Sequence, residues 1–593
     1  MLCNIFRFCE VPYSNYKIFD IKTIQIEETI IRVLLRQRWK KIWVSPLSDN
    51  LDAMLREFEE ITRIQTITKL YIKKNQVLTL IKNPMEAEFI DTFYIVEFLR
   101  NDRPTSISQL VSRPRKDFRN FIRDVNTLAE YIVTYIKTVD NRCVYPNVTP
   151  GFMNDQFEMD NLDKPVKLNQ ILHEFETKII SGNAHWNHIN FRSYFSSRNF
   201  PSGALADLVV GSLFSVLCNW AMSPSGVEFE LQMVDLYGKL LGFPDIFLTN
   251  SPNSTGCGVT LSATSEGVIM AMLTARELMF EKHATNRTER FDVHSRLVAY
   301  MSDQAHSCHE RATKLANVEC RILETDENGS LRGTTFEEAI ERDLQDGKIP
   351  FFYSLSFGST GVIAFDNLKE ISGTCEKHDI WIHADLAYTS SVLICPEYRY
   401  IIEDIEKVTS ISCNLYKWIG LNTCVSLFFT RRGKEYKSIF SLNPDYLHYT
   451  NQEGNTYKYD HMDTSVTLSR PCRGIKLWFH IRLNGLEKLQ KIVRSHCNLA
   501  KFVGELISED ERFELLKVTL SVSIFRYHSN DKFNEYLHQS LIDSGEMYLT
   551  KTLFKGKTYL RFLIGAPDEN QKDVAQAWKI IVNHIDKIEE DQG

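Results

Sequence analysis

The residues best placed to do chemistry together lie in one stretch, Ile380 to Trp418, which begins IWIHADLAYTSS and ends SISCNLYKWIG. Asp385 closes one apolar run, and Lys417 sits on a short segment between two others. Neighbouring strand ends would project this acid and this amine into one cleft. They are the two anchors that an electron-sink cofactor such as pyridoxal phosphate requires. The amine bonds the cofactor aldehyde, and the acid keeps the pyridine nitrogen protonated. Both residues have ordinary alternative roles, a surface lysine and an aspartate capping a turn. The rest of the chain must therefore supply the other parts of such a site.

The elements around the pair fit that demand. Residues 201–480 alternate helical and strand-like runs, the pattern of an α/β domain with a mainly parallel sheet. VEFELQMVDLYGKLLG and SEGVIMAMLTARELMF have apolar residues at helical spacing. RLVAYMSDQAHS, IPFFYSLSFGSTG, IWIHADLAY and TSISCNLYK each read as a strand followed by a polar turn, and sites in such sheets collect where those turns meet. Ahead of this domain, residues 116–200 read as a helical arm. FRNFIRDVNTLAEYIVTYIKTV and LNQILHEFETKIISG form its helices, the second ended by Gly182, and HWNHINFRSYFSS supplies a dense run of aromatics. Residues 481–593 read as a smaller α+β domain with a closing helix capped near Asp568. Residues 1–115 form an N-terminal extension, with a helical LDAMLREFEEITRI and a β-prone TKLYIKKNQVLTLI but no motif tied to chemistry.

Composition bounds the function classes. The 593 residues are 43% hydrophobic and 24% charged with a net charge of −7, so no charge excess points to nucleic acid or to a membrane surface. Thirteen dispersed cysteines, without a CxxC pair or zinc-like spacing, read as reduced thiols rather than as a disulfide framework or a metal site. No run is long and apolar enough to span a bilayer, and the N-terminus lacks the apolar core of a signal peptide. A cytoplasmic location is expected.

From about Phe118 onward the chain resembles the group II pyridoxal-phosphate amino-acid decarboxylases, aromatic-L-amino-acid decarboxylase and histidine decarboxylase above all. The segments carrying the resemblance are VYPNVTPG, HWNHINFRSYF, WAMSPSGVEFE, SATSEG, SDQAHSCHERA, HADLAY, NLYKW and LSRPCRGIKLWF. Their order and number make the signal far stronger than one motif. The resemblance implies the type I pyridoxal-phosphate-dependent transferase fold, a homodimer with active sites at the subunit interface, and pyridoxal 5'-phosphate as cofactor.

It also implies roles for residues. Lys417 would bind the cofactor aldehyde as an imine, and Asp385 would pair with the pyridinium nitrogen. His306 would stack on one face of the ring, with Ala387 under the other. Thr264 and Ser265, opening a helix, would hold the phosphate where free N–H groups and the helix dipole favour an anion. Ser359 and Asn414 match further polar contacts to the cofactor. Trp186, Tyr194 and Phe195 match the aromatic wall of the substrate site. Tyr459, in a segment resembling the family's mobile loop, is the candidate to return a proton to the substrate carbon.

Some positions depart from the pattern. Where the family reads NPHKW this chain has Asn414-Leu415-Tyr416-Lys417-Trp418, so a phenol replaces an imidazole and a proline's backbone restraint is lost. Leu386 replaces an alanine beside the cofactor acid, where added bulk can displace the ring. Asn187 replaces a histidine of the wall, and Pro471-Cys472 interrupts the family's RRFR run. The function expected is decarboxylation of dopa, 5-hydroxytryptophan, tyrosine or histidine to the amine, such as a catecholamine. The alternatives are a relative that binds the cofactor but turns over slowly or not at all, and one diverted to transamination or oxidative deamination.

Overall fold

The computed structural model describes residues 6–10, 17–21 and 120–592, apart from 155, 158–163, 215, 423 and 443–459. LDAMLREFEEITRI, TKLYIKKNQVLTLI and Tyr459 lie outside the described residues. The chain divides into two compact units, Met1–Tyr131 and Ile132–Gly593. In the first, β1 (Phe6–Glu10) and β2 (Lys17–Ile21) pair antiparallel with Phe6 opposite Ile21.

In the second unit the arm ends in a two-residue strand, β3 (Phe191–Arg192). Then come β4 (Cys257–Leu261), β5 (Leu297–Ser302), β6 (Glu319–Leu323), β7 (Ile349–Ser356), β8 (Trp381–Asp385), β9 (Ser410–Asn414) and β10 (Ser426–Thr430). They form one sheet in the order β4-β10-β9-β8-β7-β5-β6. β10 runs antiparallel to both of its neighbours, and the pairs from β9 through β6 are parallel.

The strands β4, β5, β7, β8, β9 and β10 are buried almost throughout because both faces of the sheet are covered there, whereas the edge strand β6 keeps Glu319 and Ile322 exposed. Val298, Tyr300, Tyr353, Leu355, Ile382 and Ala384 face one core. Their alternating neighbours Leu297, Ala299, Phe352 and Trp381 face another, beneath the long helix Thr264–His283. A second sheet joins β11 (Phe513–Thr519), β12 (Val522–Tyr527), β13 (Tyr548–Phe554) and β14 (Lys557–Leu563) in the order β11-β12-β14-β13-β3. The helices Leu486–Glu509, Asp531–Asp543 and Gln571–Gln592 bury an apolar face each against it.

The arm helix covers Phe121–Thr138. The second predicted arm helix is regular only over Leu168–Glu174. It continues through a π turn at Phe175–Ile179 and ends in a 3-10 turn at Ile180–Gly182. The closing helix is capped by Asn570, whose Oδ1 accepts the Lys572 N–H at 2.9 Å, two residues beyond the expected Asp568. Among the described residues no helix is long and apolar enough to cross a membrane.

Candidate active site

Asp385 is the last residue of β8, and Lys417 lies three residues beyond the end of β9. The two strands are parallel neighbours, so both side chains emerge at the same edge of the sheet, where the turns after β5 and β7 also arrive. A cavity of about 180 Å³ sits there. Its floor and sides include Lys417, Asp385, His306, Thr264, Ser265, Ser359, Ala387, Asn414 and Phe195. Nine of the candidates read from the sequence thus line one space. A larger cavity of about 470 Å³, bordered by Asp379, Trp381, Arg431 and Arg432, contains none of them.

Lys417 is held by its neighbours rather than by its own amine. Leu415 is fully buried in the main core, and Trp418 stacks on Tyr388 with centroids 5.0 Å apart. The indole N–H of Trp418 donates to His496 Nδ1 at 2.9 Å. The Lys417 Nζ rests 5.1 Å over the Phe195 ring and forms no ion pair among the described residues. Burial lowers its pKa against the opposing charges of Asp385 and Cys308, with Arg561 adding to the depression. A larger share of neutral, nucleophilic amine follows.

Asp385 is fixed through both oxygens. Oδ1 accepts the Ala387 N–H at 2.9 Å, and Oδ2 lies 3.1 Å from His309 Nε2. Burial opposes its ionisation, but the His309 hydrogen bond and the charges of His309 and Lys417 prevail, and the carboxyl is held well below the usual range.

The remaining residues form a cradle suited to pyridoxal phosphate. Thr264 and Ser265 open the helix Thr264–His283, and the buried Thr264 Oγ1 has no partner among the described residues. An orphaned hydroxyl beside a helix N-terminus suits a phosphate oxygen. Gly358 lines the same wall at φ +98, and a Cβ there would overlap the Thr389 methyl group. His306 caps the helix Ser307–Ala316, its Nδ1 accepting the Cys308 N–H at 3.1 Å, which leaves Nε2 free to turn outward. Ser359 Oγ accepts the Ala364 N–H at 3.0 Å, and the Asn414 Oδ1 accepts the Ser426 hydroxyl. The donor set fits the cofactor: an amine, a fixed carboxylate and an unpartnered hydroxyl at a helix N-terminus share one cavity.

The aromatic wall divides. Phe195 enters the cavity, stacked on Tyr388 at 4.1 Å and covered by the Arg561 guanidinium at 4.6 Å. Trp186 and Tyr194 do not reach it. They stack on each other at 5.4 Å, are 50% and 47% exposed, and Tyr194 Oη meets Tyr548 Oη at 3.2 Å. The cause is a turn: Tyr194 adopts φ +54, a left-handed conformation held by the Thr550 hydroxyl, which accepts its N–H at 2.6 Å. This turn sends residues 194 and 195 in different directions.

The departures also sort themselves. Leu386 is fully buried in the main core and absent from the cavity lining, so the suggestion that its bulk displaces the ring is corrected: β8 alternation turns it away from Asp385. Asn187 accepts the Asn199 N–H at 3.1 Å, within the arm. Cys472 packs with Leu217, Val227 and Leu231. Tyr416 does line the cavity, and burial raises its phenol pKa.

Sequence reasoning missed Cys308 and His309. Cys308 borders the cavity, and His309 is completely buried behind Asp385. The only available signal was their place in SDQAHSCHERA, one helical turn after His306.

Residues 150–528 match the family described as pyridoxal-dependent decarboxylase conserved domain. The aromatic-L-amino-acid decarboxylase of Cavia porcellus is 32% identical over 464 residues, covering 78% of this chain and 96% of its own. The histidine decarboxylase of Mus musculus is 33% identical over 470 residues, covering 79% of this chain and 70% of its own. The crystal structure of Oryza sativa TDC with PLP and tryptamine is similar at a TM-score of 0.76 and 26% identity, covering 80% of this chain and 99% of that one. With the type I fold, the cradle and these likenesses together, the chain belongs to the pyridoxal-dependent decarboxylase family, a carboxy-lyase that works with pyridoxal phosphate.

Proposed function

We propose that the enzyme decarboxylates an aromatic L-amino acid (dopa, 5-hydroxytryptophan or tyrosine) or histidine to the corresponding amine. The observation that carries this reading is the shared cavity of Lys417, Asp385 and Phe195: amine, acid and a flat apolar wall in one space. Relatives named for those substrates support the substrate class.

Pyridoxal phosphate, when bound, supplies a ring that accepts the electron pair left as carbon dioxide departs. The chain does the rest. Lys417, with its depressed pKa, would present a neutral amine where the cofactor aldehyde would be held. Asp385, held ionised, would keep a proton on the pyridine nitrogen. Thr264 and Ser265 would hold its phosphate, His306 and Ala387 would lie against its ring, and Ser359 and Asn414 would add polar contacts. Phe195 excludes water and stacks on the substrate ring. Tyr459 is assigned the return of a proton to the substrate carbon.

The enzyme acts as a cytoplasmic homodimer in this reading, with Trp186 and Tyr194 completing the wall of a site at the interface. Their exposure supports it, as does the uncovered apolar face of the arm at Ile132, Val133 and Ile136. The eleven described cysteines are all free thiols, as suits a reducing compartment. Residues 116–200 serve as the arm, 201–480 as the cofactor-binding domain and 481–593 as the small domain, with 1–115 an extension. A second reading, a chain that binds the cofactor and turns over slowly, rests on the Tyr416 phenol beside Lys417.

The test is to supply purified, cofactor-loaded protein with dopa, 5-hydroxytryptophan, tyrosine and histidine in turn. Equal amounts of amine and carbon dioxide support decarboxylation. The visible band of bound cofactor without product selects the second reading. Aldehyde or keto acid with ammonia overturns both in favour of a diverted reaction.

A further inference from the structure

Asp385 has a partner that its proposed task does not by itself explain. The helix Ser307–Ala316 runs beneath the strand ends and sends His309 inward, fully buried, with Nε2 3.1 Å from Asp385 Oδ2. The opposite oxygen is tied to the Ala387 N–H. The carboxylate plane is therefore fixed from two sides, and its remaining lone pairs are left for the cavity.

A second imidazole lies close by, and its charge state differs. His383 precedes Asp385 by two residues on the same face of β8, its ring centroid 6.3 Å from that of His309. Burial, with the charge on His309 adding to it, pushes His383 down to about 3, and its Nδ1 is engaged by Ser410 Oγ at 2.8 Å. Burial acts against His309 as well, but the Cys308 sulfur and the Asp385 carboxylate outweigh it and push His309 up to about 10. Of the two imidazoles behind the acid, only His309 is a cation at neutral pH.

Lys417, on the cavity side, is an intermittent counter-ion, since its charge disappears whenever its nitrogen is neutral or bonded. His309 keeps its charge at neutral pH and is shielded from solvent. A charge-assisted hydrogen bond of this kind is about twice as strong as a neutral one. It both aims the carboxylate and lowers its proton affinity.

We propose that His309 is a positioning residue for the cofactor acid: it keeps Asp385 ionised and aimed at the pyridine nitrogen, and so sets how firmly the ring proton is held. The inference rests on the reading of Asp385 as that acid.

The experiment compares His309→Leu, His309→Gln and Asp385→Ala in the full chain. It measures the dissociation constant of pyridoxal phosphate by fluorescence titration, the pH profile of the bound cofactor's visible band, and the melting temperature without cofactor. His309→Leu should weaken cofactor binding about tenfold or more. His309→Gln, which keeps an N–H donor and loses the charge, should recover most of that affinity while the pH profile of the band stays displaced. Wild-type affinity and an unchanged profile in both His309 variants would overturn the proposal. So would a lowered melting temperature in His309→Gln with a wild-type profile, which marks a purely structural histidine. Wild-type affinity in Asp385→Ala would overturn instead the assignment of the acid on which the inference rests.

Discussion

Two buried carboxylates, each beside a cation, do opposite work in this protein. Glu230, on the helix Pro224–Leu240, is closed on every side. Oε1 takes the Arg470 guanidinium at 2.5 Å and the Thr260 hydroxyl at 2.8 Å, and Oε2 takes the Gly474 N–H at 2.9 Å. Burial alone would raise its pKa, yet Arg470 and the remaining donors lower it. Asp385 has a similar count of protein donors, but its side chain is 13% exposed at the cavity edge. A saturated carboxylate fastens segments together, whereas one with unused lone pairs at a cavity is available for chemistry. The interruption at Pro471-Cys472 falls beside the first kind, since Arg470 survives as the anchor of Glu230.

Substitutions can break or sharpen this contrast. The largest effect is expected from Lys417→Ala, which should abolish the visible band of bound cofactor and all measurable turnover while leaving the melting temperature of the cofactor-free protein unchanged. A persisting band would show that another residue carries the cofactor. Arg470→Ala should do the reverse. It leaves Glu230 charged and unpaired in the interior, at a cost of about 3–5 kcal/mol, read as a large loss in thermal unfolding. If the two variants lose the same property, the distinction between fastening and working carboxylates fails. Leu386→Ala should cost about 2–4 kcal/mol through the cavity left in the core, with substrate affinity retained in the protein that stays folded. An altered cofactor spectrum in that variant would return Leu386 to the site.

The smallest effect is a pH dependence. The His309 pKa is raised above its ordinary 6.5 to about 10, so its support of Asp385 is complete below about pH 6.5 and is lost as pH rises through about 10. The groups facing it are Cys308 on its own helix and Asp385 and His383 from β8, with Lys417 beyond Asp385. Cofactor retention should therefore fall between about pH 9 and 10.5 in the wild type, and this step should be missing in His309→Gln. A step of the same size in both would assign it to Lys417 or Cys308.

The part of the site that could be read in the sequence is the part written in short stretches. Four apolar runs ending in polar turns announced β5, β7, β8 and β9, because strands buried on both faces need continuous hydrophobicity and their ends need turn chemistry. Asp385, Lys417 and His306 follow such ends and were legible with them, and Thr264 was legible as the start of the helix SEGVIMAMLTARELMF. His309 was not, since its role comes from a contact across 76 positions of sequence with Asp385, and no local pattern records it. The failure at Leu386 is of another kind. The substitution was visible, but the side to which it points depends on strand alternation through β8. Trp186 and Tyr194 were legible as aromatics, while the turn at Tyr194 that parts them from Phe195 depends on Thr550 and Arg561, more than 350 residues away.

That long reach has a consequence for how the enzyme is made. β3 pairs with β13, Phe191 against Tyr548, and Arg192 is pinned to Glu569 by a buried ion pair of 2.6 Å. Phe195 follows directly. A ribosome delivers these partners several hundred residues after the arm, so the strand must wait for its edge. The sheet that bears Asp385 and Lys417 is complete by residue 430, but Phe195 gains its Arg561 cover only as the last strands leave the tunnel. Loss of the C-terminal fifth would therefore remove the edge on which β3 pairs and the Arg561 that covers Phe195, together with the His496 that holds Trp418 beside Lys417.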